Sequence, residues 1–435
     1  MFRNKIYIIH YHLNPGGVTS IIKSQVKGLK SVDSNSEITV ITGVAPMEKI
    51  LNKDVKLIVN KRLNYLSLQK INNPRNYCNK LLKQLKKIVR KNDIIHFHNL
   101  NLGKNPLVNY VIYQLIQEGY PVFNHVHDFA EDRSVNMALM QAEVGRVSDL
   151  EISEIMYPSS PNLYYGVLTS FDHERLKSLG VKQEKIKRLP NPVSIPALPE
   201  PQNNKKLKEQ LATVFNIDPE KKWITYPVRV IKRKNIGEFV LLAYLFASKA
   251  VFLVTQPPAN PAEMGEYKKW VQFCHLKNIP VIWEAGRAAN FSEIISASDF
   301  CITTSVMEGF GMSYLEPWLH HTPVTGRNIL RVTPDFIKLG LEFPVLYDGI
   351  QINTGEKLID FAELDSTEQR FFIGQLGIPE IREQLISGNP FIDKLFEPVE
   401  QKIIIKNEMI VRENFSVAKY GETLHGIYEE ITGGN

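Results

Sequence analysis

The chain reads as an α/β protein in which two doubly wound parallel sheets follow one another. Three observations predict this. Apolar, β-branched runs alternate with helical spacings through both halves, the alternation restarts once after a proline-rich interval, and 435 residues exceed what one compact core carries.

The first half opens with the strand KIYIIHYH, the turn Asn14-Pro15-Gly16-Gly17 and a helix from about Thr19 to Leu29. EITVIT, VKLIV, DIIHFH, PVFNHVH and GVLTS continue the strands, with helical patterns between most of them. One of these patterns, NKLLKQLKKIVRK from Asn79 to Lys91, sets Leu81, Leu82, Leu85, Ile88 and Val89 on one face beneath lysines. That face is expected to pack on the domain's own sheet; the other use of such a helix is contact with an anionic membrane. Prolines 190, 192, 196, 199 and 201 mark a linker. We therefore expect an N-terminal domain over 1–195, a second domain over 196–405 and a terminal segment over 406–435.

The second half restarts with KWITYPVRV, a helix near Ile236 to Ser248, AVFLVT, a helix near Ala262 to Lys277, PVIWEAG, a short helix and FCITTS. A glycine loop and a helix over SYLEPWLHH follow, with Tyr314, Leu315, Trp318 and Leu319 as its apolar stripe. Beyond residue 330 the pattern is more helical, ending in a helix from about Ser416 to Ile431 stopped by glycines. Ligands of parallel sheets bind beyond the carboxyl ends of the strands, where residues 14–17, His98 and His127 fall.

Composition narrows the class. No apolar run approaches about 20 residues, and MFRNKIYIIHYH lacks the long apolar stretch of a signal peptide, so the expected address is the cytoplasm. A peripheral place at the inner membrane face goes with the membrane use of the basic helix. Cys78, Cys274 and Cys301 have no C-x-x-C spacing and read as free thiols. Residues 1–110 hold 19 Lys and Arg against 5 Asp and Glu, a local +14, so the remainder carries −8 to give the overall +6. That asymmetry points to an anionic ligand or surface, or aids solubility alone; no nucleic-acid partner is expected.

The stretch TTSVMEGFGMSYLEPWLHHTPVTG carries the most chemistry. Glu308 and Glu316 stand eight positions apart around Gly309-Phe310-Gly311, so one carboxylate is free to hold the hydroxyls of one ligand moiety and the other a second. Glycines let backbone N–H groups approach a polar ligand. The segment resembles the E-x7-E signature of retaining GT-B glycosyltransferases of family four, with Pro317 for the usual alanine and His321 for a small residue.

Other segments resemble the same family. YPVRVIKRKNIGEF supplies Arg229 and, five positions later, Lys234, like the pair that binds the donor diphosphate, although Pro227-Val228 and Asn235 replace its glycines. Asn14 to Val18 resembles the family's glycine loop after the first strand. It is not G-x-G-x-x-G, so a nicotinamide cofactor is not expected. His10/His12, His96/His98 and His125/His127 form three H-x-H pairs, and partners two apart in a strand share a face on which a metal can be gripped. DIIHFHN and NHVHD nevertheless resemble family strands that carry these histidines without a metal. LTSFDHERLKSLGV and KIKRLPNPV resemble further family segments, Asn191-Pro192 replacing Asn-Gly.

The resemblance implies a GT-B architecture, two Rossmann-like domains facing a central cleft with the last helix crossing back. It implies a retaining hexosyltransferase that uses a UDP- or GDP-sugar and a sugar, small-molecule or lipid-linked acceptor. His127, Arg229, Lys234 and Glu308 are then expected in catalysis. Gly16, Gly17, Gly309, Phe310, Gly311, Met312 and Glu316 are expected at the donor, with Glu316 on the ribose. Asp128, Arg133 and His98 are expected at the acceptor, with no metal and no cofactor beyond the sugar nucleotide. A nucleotide-sugar epimerase or phosphorylase on the same fold, and a non-catalytic sugar-nucleotide binding protein, are the alternatives.

Overall fold

The computed structural model describes residues 5–46, 51, 53–69, 71–196, 204–355 and 357–433. Prolines 199 and 201 of the expected linker lie outside them. The chain forms two compact units, Met1–Pro192 with Phe415–Asn435, and Val193–Asn414. The sequence reading divided the chain at 195/196 and 405/406. The units divide at Pro192/Val193 and at Asn414/Phe415, because the helix Gln401–Phe415 belongs almost wholly to the second unit.

The first unit is built on β1 (Ile6–His10), β2 (Ile38–Thr42), β3 (Lys56–Val59), β4 (Ile94–His98), β5 (Val122–Val126), β6 (Leu163–Val167) and β7 (Ile186–Arg188). They form one seven-stranded sheet in the order β3-β2-β1-β4-β5-β6-β7, and every pairing is parallel. This is the doubly wound arrangement that alternating strands and helices predict. On one face Ile9, Ile95 and Phe97 pack under the helices Pro74–Ile88 and Pro106–Gln117. The basic amphipathic helix is the first of these: Tyr77, Cys78, Leu81 and Leu85 are buried in the domain core while Lys80, Lys83, Lys86 and Lys87 face solvent. Its apolar stripe is thus spent on its own sheet.

The other face is covered by Gly17–Val32 and the C-terminal helix Val417–Ile431, whose Tyr420, Leu424 and Tyr428 join Ile8, Ile22, Val26 and Phe123 in one cluster. Gly28 and Gly421 set the crossing distance. A Cβ on Gly28 would lie 2.6 Å from Val417 O and 3.1 Å from Gly421 Cα, so only a hydrogen at both positions admits this approach.

The second unit has β8 (Lys222–Arg229), β9 (Ala250–Gln256), β10 (Val281–Ile282), β11 (Phe300–Thr303), β12 (Val324–Arg327) and β13 (Leu346–Tyr347). Their order is β10-β9-β8-β11-β12-β13, again all parallel. An antiparallel hairpin, Gln351–Asn353 with Leu358–Asp360, falls in the region read as helical. It is tied to the sheet by Arg327, which donates to Glu238 at 2.9 Å and to Asp360 at 2.7 Å. Among the described residues no helix is long and apolar enough to cross a membrane.

Candidate active site

After β11 the chain runs outward through the exposed Val306 and Met307 and then buries Glu308. Lys234 Nζ donates to Glu308 Oε1, and Arg233 donates to Oε2 at 2.8 Å. Arg233 also donates to Met307 O at 2.8 Å, and Val306 N–H donates to Arg233 O at 2.9 Å, so the basic turn Lys232–Lys234 is stitched to the glycine loop. Burial pushes the Glu308 carboxyl up, but Lys234 and Arg233 together bring it below its ordinary value. Burial also draws Lys234 below its ordinary value, opposed by Glu308. Each charge is compensated by the other where water is excluded.

Gly311 has φ 84°, and a Cβ there would lie 2.7 Å from Val332 Cγ1, so the loop requires glycine on two counts. Phe310 is buried edge-on against Phe336, Gly309 is exposed and Met312 is half-buried. The helix expected over SYLEPWLHH is not α-helical. It consists of two 3-10 stretches, Met312–Tyr314 and Glu316–His320. Pro317 is the cause: it donates no N–H and disfavours α geometry at the residue before it. Glu316 therefore opens a short turn, half-buried, and no described residue gives it a hydrogen bond. Burial pushes its carboxyl up to about 7.

Arg229 ends β8 in solvent and donates from Nε to Gln256 Oε1 at 3.0 Å. Among the described residues the cations on Glu308 are Arg233 and Lys234. The sequence reading missed Arg233, because in RVIKRKN nothing distinguishes it from a solvated lysine neighbour.

In the first unit, register pairs Ile8 with His96 and His98 with His125. His10, His96, His98 and His125 consequently share the sheet face turned toward Gly17–Val32 and the C-terminal helix. His98 was expected at the acceptor, but it is completely buried. Its Nδ1 meets His127 Nε2 at 3.0 Å and its Nε2 meets Gln25 Oε1 at 2.6 Å, so it supports His127 from within. Ligand atoms of His96, His98 and His125 lie within 4.8 Å of one another. A metal there would have to displace one of the two partners of His98, since both its nitrogens are committed. Burial holds all three imidazoles well below their ordinary pKa, hence neutral.

His127 is half-buried just beyond β5, and burial lowers it to about 4 against the nearby Asp128 carboxylate. Asn99, in the left-handed region at φ 66°, clamps this strand end: its Oδ1 accepts from the N–H groups of His127 at 3.3 Å and Asp128 at 2.9 Å, and its Nδ2 donates to Asp128 at 3.0 Å. The asparagine that follows H-x-H was the only signal for it. Arg133 pairs with Asp128 at 2.9 Å. Lys104 stands 5.7 Å over the Tyr65 ring, and its pKa is lowered by burial and by Arg133, which marks two cations near one carboxylate. Gly16 and Gly17 are exposed at the start of a 16-residue helix that has no side-chain cap and no acidic residue in its first turn, leaving N–H groups open to an anion.

No family model matches the chain. The mannosylglucosyl-3-phosphoglycerate synthase of Petrotoga mobilis is 31% identical over 432 residues, spanning 91% of this chain and 79% of the relative. The chain belongs to the GT-B glycosyltransferases. Solved structures share the fold of this glycosyltransferase. HepE from Anabaena in complex with UDP has a TM-score of 0.62 at 15% identity, covering 98% of this chain and 100% of that one. The sucrose-phosphate synthase of Thermosynechococcus elongatus has a TM-score of 0.61 at 15% identity, covering 100% of both chains.

Proposed function

We propose that this glycosyltransferase moves a hexose from a nucleotide diphosphate sugar to an anionic acceptor, with retention at the anomeric carbon. The observation that carries the reading is Glu316, a half-buried carboxylate to which no described residue gives a hydrogen bond, eight residues from a carboxylate held by two cations. A vicinal diol answers that need, because two hydroxyl donors match two carboxylate oxygens; the ribose of a nucleotide provides one. Glu308 is then assigned to the hydroxyls of the sugar, and backbone N–H groups of residues 309–312 complete that side.

Lys234 and Arg229 are assigned to the diphosphate; the open N–H groups at Gly16 and Gly17 are a candidate anion site within the first unit. Charge on the leaving diphosphate grows as the glycosidic bond breaks, and fixed cations stabilise it most at that moment. Retention follows from attack on the face the leaving group departs from, the leaving phosphate taking the acceptor's proton. No protein nucleophile and no metal is assigned a step.

The acceptor is assigned to the surface near Asp128, Arg133 and Lys104, with His127 touching the transferred sugar. Its anionic character is supported by the +14 of residues 1–110 and by the two cations there. The names of the mannosylglucosyl-3-phosphoglycerate synthase and of the sucrose-phosphate synthase both describe phosphorylated products. The test is a matrix of UDP-glucose, UDP-N-acetylglucosamine, GDP-mannose and ADP-glucose against phosphorylated, carboxylated and neutral acceptors. Turnover confined to neutral acceptors removes the anionic assignment; release of sugar phosphate that depends on inorganic phosphate replaces transfer by phosphorolysis.

A further inference from the structure

The geometry points to Gln25 as the positioning residue that decides which ring nitrogen His127 presents to the substrate. This rests on the reading that His127 touches the transferred sugar. Gln25 is fully buried on the Gly17–Val32 helix, a carboxamide among Ile21, Ile22, Val26 and Leu29. A buried amide in an apolar stripe is costly unless its polar atoms find partners, and here both do. Nε2 lies 3.0 Å from Tyr428 Oη and 3.0 Å from His96 Nδ1, while Oε1 lies 2.6 Å from His98 Nε2.

The distances fix the direction of each bond. A separation of 2.6 Å suits an oxygen accepting from an imidazole N–H; an amide nitrogen in that place would stand nearer about 3 Å. His98 therefore carries its proton on Nε2 and has a bare Nδ1. His127 Nε2, 3.0 Å from that Nδ1, must be the donor, since two neutral imidazoles share one proton in such a contact. His127 is left with a lone pair on Nδ1, which no described residue engages. Tyr428 Oη, 2.6 Å from His96 Nδ1, accepts from Gln25 Nε2 at 3.0 Å and so anchors the amide from the C-terminal helix.

The consequence is a specificity rule. His127 accepts a hydrogen bond from a substrate hydroxyl and does not donate one, so it recognises a sugar OH and disfavours the corresponding deoxy or O-methyl group. The chain Tyr428, Gln25, His98, His127 makes that choice from inside the first unit, without a charged residue.

Long-range proton–nitrogen correlation spectra of the full chain, labelled with 15N-histidine at pH 7.5, test this. The expected result is the Nε2–H tautomer at both His98 and His127. Gln25→Met, close in shape but unable to accept, should mix the His127 tautomers and lower kcat about tenfold, the scale of one misdirected hydrogen bond, with nucleotide affinity unchanged. Gln25→Glu keeps an acceptor for His98 and should restore the Nε2–H form. An Nδ1–H His127 in the unsubstituted protein overturns the proposal even if neither variant folds, as do unaltered tautomers and kcat in Gln25→Met. Full transfer by His127→Ala is a different outcome: it removes the role of His127 in transfer and with it the specificity rule, while the tautomer assignment stands.

Discussion

Arg233 and Glu308, 75 residues apart in sequence, meet at 2.8 Å while Lys234 holds the other oxygen of the same carboxylate. The arrangement gives Glu308 a second cation, so Lys234 is free to turn toward an arriving diphosphate without leaving a buried charge alone. The two cations then differ in worth. Lys234→Met should cost about 2 kcal/mol of stability, because it removes the more buried of the two hydrogen bonds to a buried acid that Arg233 still pairs, and lower kcat roughly a hundredfold. Arg233→Ala, whose side chain is 43% exposed, should cost about 1 kcal/mol or less. Urea denaturation and steady-state kinetics measure both; equal, small effects would remove the assignment of Lys234 to the diphosphate.

Glu316 makes a pH-dependent prediction. Its carboxyl titrates at about 7 in the fold against 4.5 for the free group. Between those values the native state holds a proton that the unfolded chain has released, so stability falls as pH climbs through the window and is unaffected below it. Glu316→Gln should therefore stabilise the nucleotide-free protein at pH 8 by about 3 kcal/mol and leave it unchanged near pH 4. The same substitution should weaken nucleotide binding, since only the ionised form accepts two ribose hydroxyls. In the unsubstituted protein, nucleotide affinity should rise from pH 6 to pH 8, as titration calorimetry can show. A pH-independent affinity would mean that Glu316 does not face the ribose.

The acceptor assignment predicts a charge-selective defect. Arg133→Ala and Lys104→Ala should each raise KM for an anionic acceptor about tenfold, the scale of one charge-assisted hydrogen bond, and leave KM for the nucleotide sugar unchanged. Added salt should raise the same KM, because half-exposed cations are screened. Insensitivity to both would reduce the basic first unit to a property of its surface.

Fixed side-chain cations on the diphosphate predict that chelation is harmless. Protein dialysed against EDTA should keep its activity. Stoichiometric zinc in the purified chain, lost together with activity on chelation, would move the histidine face from hydrogen-bonded support to metal centre.

Much of this was legible in the sequence because it rests on local pattern. Both parallel sheets follow from apolar runs alternating with helical spacings, and Gly311 falls in the turn that its place in the glycine loop predicts. The departures come from tertiary pairing and from one backbone rule. Pro317 broke a helix that the apolar stripe of Tyr314, Leu315, Trp318 and Leu319 had predicted. His98, placed at the acceptor by its position at a strand end, turned out to be buried by two helices whose approach depends on Gly28 and Gly421. Gln25 and Arg233 left no trace in sequence: a glutamine in an apolar stripe and an arginine in a basic run gain meaning only from partners 73 and 75 residues away.

The most direct test of the central claim is the anomeric configuration of the product. A proton NMR time course with an α-linked nucleotide diphosphate hexose and a phosphorylated acceptor should show an α-glycoside as the first product, formed as nucleoside diphosphate appears. A β-glycoside as the first product, or nucleotide release with no new glycosidic bond, would contradict retaining transfer by this chain.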